Sequence, residues 1–275
     1  LRKNSIKVKK GEFVKAGDII AQCGNSGRSP YPHLHFQMQT QPHIGARTIA
    51  YPIGYFNEKK YGQPHHSLQQ YRIPEAASRV ANLQPSLFLY HAFNILPDTS
   101  LCFTWTDQNS TTRTEHWDAY TDAYNYKYLY SRETGAVAYY TCDKLMFYFI
   151  SFYGEKQSLL YHFFGAAYKI LLSDNEEALT DRLPVHLGNT SALLRILNDF
   201  IAPFTSLLSV DYSQLPTQLD HTFETRNAEL STGMTVSFTG KLISKSSHSI
   251  AIDHRGIHSF SVTNSKTTLH AQRVF

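Results

Sequence analysis

The sequence predicts a mainly β protein with some α-helix, in which a partial antiparallel β core precedes an α+β domain built on a curved antiparallel sheet. Three observations support this prediction. Short β-type runs separated by glycine turns fill the first 40 residues. Aromatic and β-branched runs divided by polar turns, at 101–108, 112–123, 126–132 and 135–143, indicate neighbouring antiparallel strands. Helical spacing of apolar residues is seen in 158–173 and 191–202, which predicts one or two packed helices.

The length of the chain limits the number of domains. A chain of 275 residues fits one large or two modest domains, because a domain usually holds about 100 to 200 residues. Hydrophobic residues make up 42% of the chain and aromatic residues 13%, which excludes a disordered chain. We expect a first domain at 1–56, a linker or extended arm rich in Pro and Gly at 57–85, and an α+β domain of unknown function at 86–275.

Charge is distributed unevenly along the chain. The formal net charge is +4, yet residues 1–75 balance to +7 and the remaining 200 residues to −3. A basic amino-terminal part favours an anionic partner, such as a cell-wall polymer or a membrane surface. Lysines that keep exposed strand edges soluble would give the same composition. Charge alone therefore does not choose between these interpretations.

Cysteine content and hydropathy exclude several classes of protein. Three cysteines are too few for a disulfide scaffold or a cysteine-based zinc site, and at most one bridge can form, for which Cys102 and Cys142 are the candidates. No run approaches the length of about 18 apolar residues that a membrane span needs, so no transmembrane segment is expected. A phosphate-binding glycine loop and a nucleophile elbow are also missing from the sequence, and no nucleic-acid partner is expected.

Two histidines lie two positions apart near the amino terminus. Gly11 and Gly17 each mark a turn, and residues 33–40, HLHFQMQT, then alternate between two faces. His33 and His35 share one of these faces. Because side chains i and i+2 of a strand project to the same side, about 7 Å apart, both imidazoles are predicted to face one site.

Such a pair suits metal-dependent hydrolysis. One imidazole can coordinate zinc while the other, on the same face, orients or deprotonates a water molecule. The pattern is weak by itself, because a chain with 14 histidines contains such a pair by chance about half the time. Two exposed or hydrogen-bonded histidines without a metal are the alternative interpretation.

The residues around the pair carry a longer motif. The stretch VKKGEFVKAGDIIAQCGNSGRSPYPHLHFQ resembles the lysostaphin-type (LytM-like) zinc metallopeptidase family, whose members read V-x-x-G-x-x-V-x-x-G-x-x-I, then G-N-(S/T)-G, then H-L-H-F. The resemblance covers roughly 1–56 and corresponds to the carboxyl half of the catalytic domain. The matching positions are Val8, Gly11, Val14, Gly17, Ile20, Gly24, Asn25, Ser26, Gly27, His33, Leu34, His35 and Phe36.

The resemblance implies a role for each histidine. It implies that His35 is the zinc ligand, that His33 is the catalytic histidine, and that a metal-activated water cuts peptides of bacterial peptidoglycan in a periplasmic or extracellular location. In the family, a further His and an Asp that bind zinc lie upstream of this motif, and the chain lacks them. Catalytic zinc normally has three protein ligands. We therefore expect the chain to be inactive alone, with zinc bound only if upstream domains of a parent protein supply the missing ligands.

Other functions remain open at this stage. The first is a non-catalytic binding or scaffold module, either a degenerate peptidase fold or a carrier-like β-barrel with similar V-x-x-G-D turns. Carrier domains present a modifiable lysine at a hairpin tip, whereas GNSGRS occupies that region here. A second is that the carboxyl-terminal domain is the functional unit, with a transport or ligand-binding role.

A cluster of tyrosines lies in 120–132, YTDAYNYKYLYSR. On exposed faces, these rings could stack on sugars or bases. The alternative is a sheet with two faces, of which one aromatic face is buried. The sequence does not separate these two interpretations.

Overall fold

The structure is a computed structural model that describes residues 1–15, 17–25, 27, 30–106, 111–175, 177–188, 190–215, 227–265 and 268–275. The described residues are mainly antiparallel β-strand with some α-helix, which confirms the predicted fold class. Their strands are β1 (Met38–Gln39), β2 (Thr48–Ile49), β3 (Ile53–Lys59), β4 (Ser67–Arg72), β5 (Arg79–Ala81), β6 (Ser100–Thr106), β7 (Thr112–Thr121), β8 (Lys127–Ser131), β9 (Val137–Cys142), β10 (Met146–Tyr153), β11 (Lys169–Leu171), β12 (Leu179–Leu183), β13 (Leu208–Leu215), β14 (Ala228–Phe238), β15 (Lys241–Asp253), β16 (Gly256–Asn264) and β17 (Thr268–Val274).

Contacts divide the chain into two units. The first, here called the N-terminal unit, contains Leu1–Gly54 and Tyr71–Ile73. The second, here called the sheet unit, contains Tyr55–Gln70 and Pro74–Phe275. Strands β1 and β2 form a hairpin in the N-terminal unit, and β3, β4 and β5 form a three-stranded sheet in the order β4-β3-β5.

A twelve-stranded antiparallel sheet, the large sheet, dominates the sheet unit. Its strand order is β11-β10-β9-β8-β7-β6-β17-β16-β15-β14-β13-β12, so most neighbours in the sheet are also neighbours in the sequence. The exception is the pairing of β6 with β17. It joins a first meander, β6 to β11, to a second meander, β12 to β17. This pairing makes one curved sheet out of two sequential meanders.

Side chains of β12 and β13, at one side of the large sheet, contact β11, the outer strand at the other side. The amide of Gln214, on β13, accepts a hydrogen bond from Leu171 N at 2.7 Å and donates one to Leu171 O at 3.3 Å. Lys169, on β11, forms an ion pair with Asp181, on β12. The two Gln214 hydrogen bonds satisfy backbone groups that β11, as an edge strand, would otherwise expose, and together with the ion pair they leave the sheet nearly closed.

Three α-helices are present among the described residues: α1 (Leu87–Phe93), α2 (Leu159–Ala166) and α3 (Ala192–Ile201), with a 3-10 turn at Val185–Leu187. None of the helices in the described part of the chain is long and apolar enough to cross a membrane. The amino-terminal ends of α2 and α3 are capped by Ser158 and Ser191, whose hydroxyls accept backbone hydrogen bonds.

Helix α2 is held by a buried carboxylate. Glu115, on β7, accepts hydrogen bonds from Leu159 N at 2.7 Å and Leu160 N at 3.1 Å, and also from Trp117 Nε1 at 2.9 Å. The first backbone N–H groups of a helix have no partner within the helix, and a negative charge is favoured at that end. Glu115 therefore fixes α2 against the inner face of the large sheet.

The core of the sheet unit forms between this inner face and helices α1 and α2. Trp117 is fully buried, and its ring lies 4.7 Å from the ring of Phe103, 5.2 Å from that of Phe163 and 6.2 Å from that of Phe260. These partners come from β6, α2 and β16, which are distant in sequence. Aromatic burial of this kind supplies much of the stability of a domain.

Several sequence predictions differ from the structure in detail. The helix predicted over 158–173 ends at Ala166, because Lys169–Leu171 pairs with β10 as strand β11. Helix α1 was not predicted, since its seven residues are too short for a clear period. The region 57–85, expected as a linker, contains β4 and β5, and Leu68 and Leu83 pack in one apolar cluster with Met146, Leu171 and Leu179.

The cysteines do not form the disulfide that the sequence allows. Cys23, Cys102 and Cys142 are all free thiols. Residues 107–108 of the first predicted strand run and Ser26 of the glycine motif lie outside the described residues.

Candidate functional site

Two similar turns precede the histidines. Glu12 Oε2 accepts a hydrogen bond from Lys9 N at 2.9 Å, and Asp18 Oδ2 accepts one from Lys15 N at 2.8 Å. The glycine directly before each carboxylate has a positive φ, 89° in the first turn and 96° in the second. Side chains other than glycine rarely adopt this conformation. The glycine turns predicted from the V-x-x-G spacing are therefore confirmed.

Gly24 brings the histidine segment against the start of the chain. A Cβ atom on Gly24 would lie 2.4 Å from Arg2 N and 2.5 Å from Leu1 C, so no side chain fits there. Arg2 N donates a hydrogen bond to Gln22 O at 3.0 Å, and Gly24 pairs with His33 in an isolated antiparallel bridge. Gly24 thus connects the chain start with the histidine motif.

The strand predicted over 33–40 is much shorter in the structure. After the bridge at His33, regular pairing resumes only at Met38–Gln39, which pairs with Thr48–Ile49. A β-strand is defined by its ladder of hydrogen bonds to a neighbour, and the described residues supply no such neighbour to 34–37. The prediction of a continuous strand was therefore wrong in its extent.

Each imidazole contacts a residue two positions away. His33 Nδ1 lies 3.0 Å from Tyr31 O, and the two rings meet edge to face with centroids 6.2 Å apart. His35 Nε2 lies 3.0 Å from Gln37 Oε1. In both contacts the ring nitrogen faces a carbonyl oxygen. Both side chains are exposed.

The histidines do not form a complete metal site with other described residues. In the described ranges, no group of three or more His, Cys, Asp and Glu side chains lies close enough to hold a metal ion. Catalytic zinc normally has three protein ligands and an open position. His33 and His35 therefore do not fit a catalytic zinc without further ligands.

The unit that carries the histidines exposes large apolar side chains. None of the described residues from 1 to 54 is buried. Apolar surface of this extent usually marks an interaction site. The exposed side chains are Leu1, Ile6, Phe13, Val14, Ile19, Ile20, Tyr31, Leu34, Phe36, Met38, Ile44, Ile49 and Ile53.

A second group of reactive residues lies on the large sheet. His116 Nδ1 is 2.6 Å from Glu133 Oε1, and Cys102 is the residue paired with His116 across β6 and β7. Burial and the nearby Glu133 carboxylate both raise the pKa of the Cys102 thiol. A cysteine nucleophile needs a lowered pKa. This group therefore does not have the electrostatics of a thiol hydrolase.

A buried histidine of the core, His248, has a hydroxyl partner. His248 is buried, and Thr232 Oγ1 lies 3.1 Å from its Nδ1 while donating a hydrogen bond to Ala166 O at 2.6 Å. Burial, followed by the nearby His162, lowers the pKa of His248 to about 4. Sequence reasoning missed this group, because a single histidine in an alternating strand gives no sign of its burial.

Comparison with known proteins identifies one region. Residues 2–45 match the model of Peptidase family M23, and this range contains both His33 and His35. No curated protein matches the chain, and no solved structure matches it either. The family resemblance is therefore carried by a short region of the N-terminal unit.

Proposed function

We propose that residues 1–56 belong to a zinc metalloendopeptidase centre that acts on bacterial cell-wall peptides in the periplasm or outside the cell. The observation that carries the proposal is the family match at residues 2–45, which includes the glycine turns and the HLHF motif. Within that centre, His35 is a metal ligand and His33 is the catalytic histidine. Bound zinc would supply a water that ionises near neutral pH.

The chain alone is proposed to be inactive. One ligand, His35, is fewer than the three protein ligands of catalytic zinc, and the exposed apolar side chains of the N-terminal unit offer a surface for additional polypeptide. We propose that another segment, upstream in a parent protein, covers this surface and provides the missing His and Asp ligands.

Metal analysis and a hydrolysis assay test the proposal directly. The 275-residue chain and the full translated product of its gene are purified and compared for zinc content and for release of peptides from peptidoglycan. We expect zinc and hydrolysis only in the full product. Tight stoichiometric zinc together with hydrolysis by the 275-residue chain would contradict the proposed incompleteness.

Variants of the full product separate the two roles. His35→Ala should lose bound zinc and activity together, whereas His33→Ala should keep the zinc and lose activity by at least about a hundredfold. His43→Ala is the matched control, because His43 is an exposed histidine of the same unit. If His35→Ala keeps both zinc and hydrolysis, its proposed role as ligand is wrong.

A second function is a non-catalytic binding or scaffold module. It is favoured by the observation that the described part of the chain brings no three metal-ligating side chains together. A full product that binds peptidoglycan without zinc, and whose binding is unaffected by His35→Ala, would establish this alternative and exclude the peptidase.

A further inference from the structure

A row of tyrosine rings crosses four neighbouring strands of the large sheet. Tyr120 lies on β7, Tyr128 on β8, Tyr139 on β9 and Tyr153 on β10. The ring centroids are 5.7 Å apart for the first pair, 5.2 Å for the second and 6.2 Å for the third. The four residues come from four consecutive strands and form one continuous aromatic surface, here called the tyrosine row.

The tyrosine row lies on the outer face of the sheet. Ala119, Leu129 and Ala138, each next to a member of the row, are completely buried on the inner face. Successive side chains of a strand point to opposite faces, so the row faces away from the core. Tyr153 is 62% exposed and Tyr120 is 40% exposed.

A groove lies beside the row. Its volume is about 470 Å³, which is within the range of about 300 to 1,000 Å³ typical of small-molecule sites. All of the lining side chains are uncharged. They are Tyr126, Val137, Tyr139, Ile150, Ser151 and Tyr153.

Two carboxylates near the row, those of Asp118 and Asp122, have hydrogen-bond partners. Arg132 donates two hydrogen bonds of 2.7 Å to the carboxylate of Asp118. Asp122 Oδ1 accepts hydrogen bonds from Tyr124 N and Tyr126 N, each at 2.9 Å, which holds the turn between β7 and β8. A nucleic acid or another polyanion needs cations along its path. The uncharged groove and its paired neighbours therefore favour a neutral ligand.

We infer that the tyrosine row and its groove bind a neutral β-1,4-linked oligosaccharide. The negative face of an aromatic ring attracts the partly positive C–H groups of a sugar ring, and a tyrosine hydroxyl can donate to and accept from sugar hydroxyls. The hydroxyl of Tyr120 already donates to Asp118 Oδ2 at 3.5 Å. The ring spacing is close to the advance of one sugar along such a chain, so consecutive sugars meet consecutive tyrosines. Ser151 adds a hydroxyl to the lining of the groove.

This inference is independent of the proposed peptidase function, because the row lies in the sheet unit and requires no metal. It is tested by calorimetric titration of the whole chain with two probes, the β-1,4-linked tetramers of N-acetylglucosamine and of glucose. At least one tetramer should bind saturably with a dissociation constant below about 1 mM.

Variants locate the binding surface. Tyr139→Ala and Tyr128→Ala should each weaken binding about fivefold to tenfold, and Tyr139→Phe should weaken it less because the ring remains. Tyr61→Ala is the matched control, since Tyr61 is 95% exposed and lies outside the row. Near-ultraviolet circular dichroism confirms that each variant keeps its tertiary structure.

Several results would overturn the inference. These are no saturable binding of either tetramer, equal binding by the tyrosine variants and the Tyr61→Ala control, or tighter binding of a single-stranded oligothymidine than of the tetramers. A dimer that dissociates in Tyr139→Ala, without saccharide binding, would assign the row to self-association instead. The His35→Ala variant should bind the tetramers normally, which separates this test from that of the proposed peptidase.

Discussion

The two units of this protein differ in how much of their surface they bury. The sheet unit encloses an aromatic core around Trp117 and Phe163. In the N-terminal unit, by contrast, none of the described residues from 1 to 54 is buried, and Phe13 and Phe36 are more than 70% exposed. The family resemblance belongs entirely to the unit without a core.

The comparison shows that a sequence motif can identify a family even where the region that carries it buries no apolar core. A motif of glycine turns and histidines is local in sequence and can be recognised in a short region. A folded domain must also bury apolar surface, which contributes about 25 cal/mol per Å². The N-terminal unit has the motif without the burial, so we expect it to gain order from additional polypeptide.

Hydrogen exchange should show the largest contrast between the units. Backbone amides in the central strands of the large sheet, such as those of β15 and β16, should exchange at least about a thousandfold more slowly than the amide of Lys7, which donates to Ile20 O. Exchange measured by mass spectrometry at peptide resolution checks this. Equal protection in the two units would show that the N-terminal unit is as stable as the sheet unit.

Removal of one core ring should destabilise only the sheet unit. Trp117→Ala should lower the free energy of unfolding by about 3 to 5 kcal/mol, because it leaves a cavity next to Phe103 and Phe163. Phe13→Ala, at an 85% exposed position, should change it by less than about 0.5 kcal/mol. Urea unfolding followed by circular dichroism measures both. A large effect of Phe13→Ala would reveal a core in the N-terminal unit.

The carboxylate that caps α2 should have a smaller effect. Glu115→Gln should lower the free energy of unfolding by about 3 kcal/mol. The N–H groups of Leu159, Leu160 and Trp117 donate to the two carboxylate oxygens, and glutamine replaces one of these oxygens with an NH2 group that cannot accept a hydrogen bond. Glu229→Gln is the matched control at an exposed position of β14. Equal unfolding midpoints of the two variants in urea would contradict a structural role for Glu115.

The smallest predicted effect depends on pH. His248 has a pKa of about 4 in the folded protein, lowered by burial, against about 6.5 in the unfolded chain. The unfolded chain therefore takes up the proton first, so this contribution to stability is complete above pH 6.5 and is lost as the pH falls towards 4. The loss should be about 2 kcal/mol between pH 7 and pH 5.

A variant checks the origin of this pH dependence. His248→Asn should make the free energy of unfolding vary less between pH 7 and pH 5, although part of the variation should remain because burial also lowers the pKa of His162. His270→Asn, at an exposed position of β17, should retain the full variation. An unchanged pH profile in His248→Asn would exclude the buried imidazole as its source.

Local sequence patterns predicted much of the fold. Alternation and polar turns predicted the strands that became β6 to β9, and Ser191 was found at the start of α3 as the helical spacing suggested. The helix predicted over 158–173 was too long, because residues after Ala166 prefer pairing with β10. The sequence could not show that pairing, since the partner strand competes with helix formation only in the folded chain.

Only part of the candidate site could be predicted from the sequence. The spacing of His33 and His35 and the glycine turns could be read directly, and the structure confirms the turns. The extent of the strand that carries the histidines could not be predicted, because it depends on whether a neighbouring segment completes the ladder of backbone hydrogen bonds. The tyrosine row was visible only as an unusual density of tyrosines, without any indication of which face they occupy.

The sequence by itself determined the elements whose causes lie within a few residues: the positive-φ glycine turns, the alternation of strands, the caps of α2 and α3, and the two histidines two positions apart. Tertiary structure alone decided which face of each strand is buried, how Gln214 and Lys169 link β11 to β13 and β12, and that no third ligand reaches the histidines from the described part of the chain. The physical reason is that burial and ligand sets join residues distant in sequence, and a local pattern carries no information about such partners.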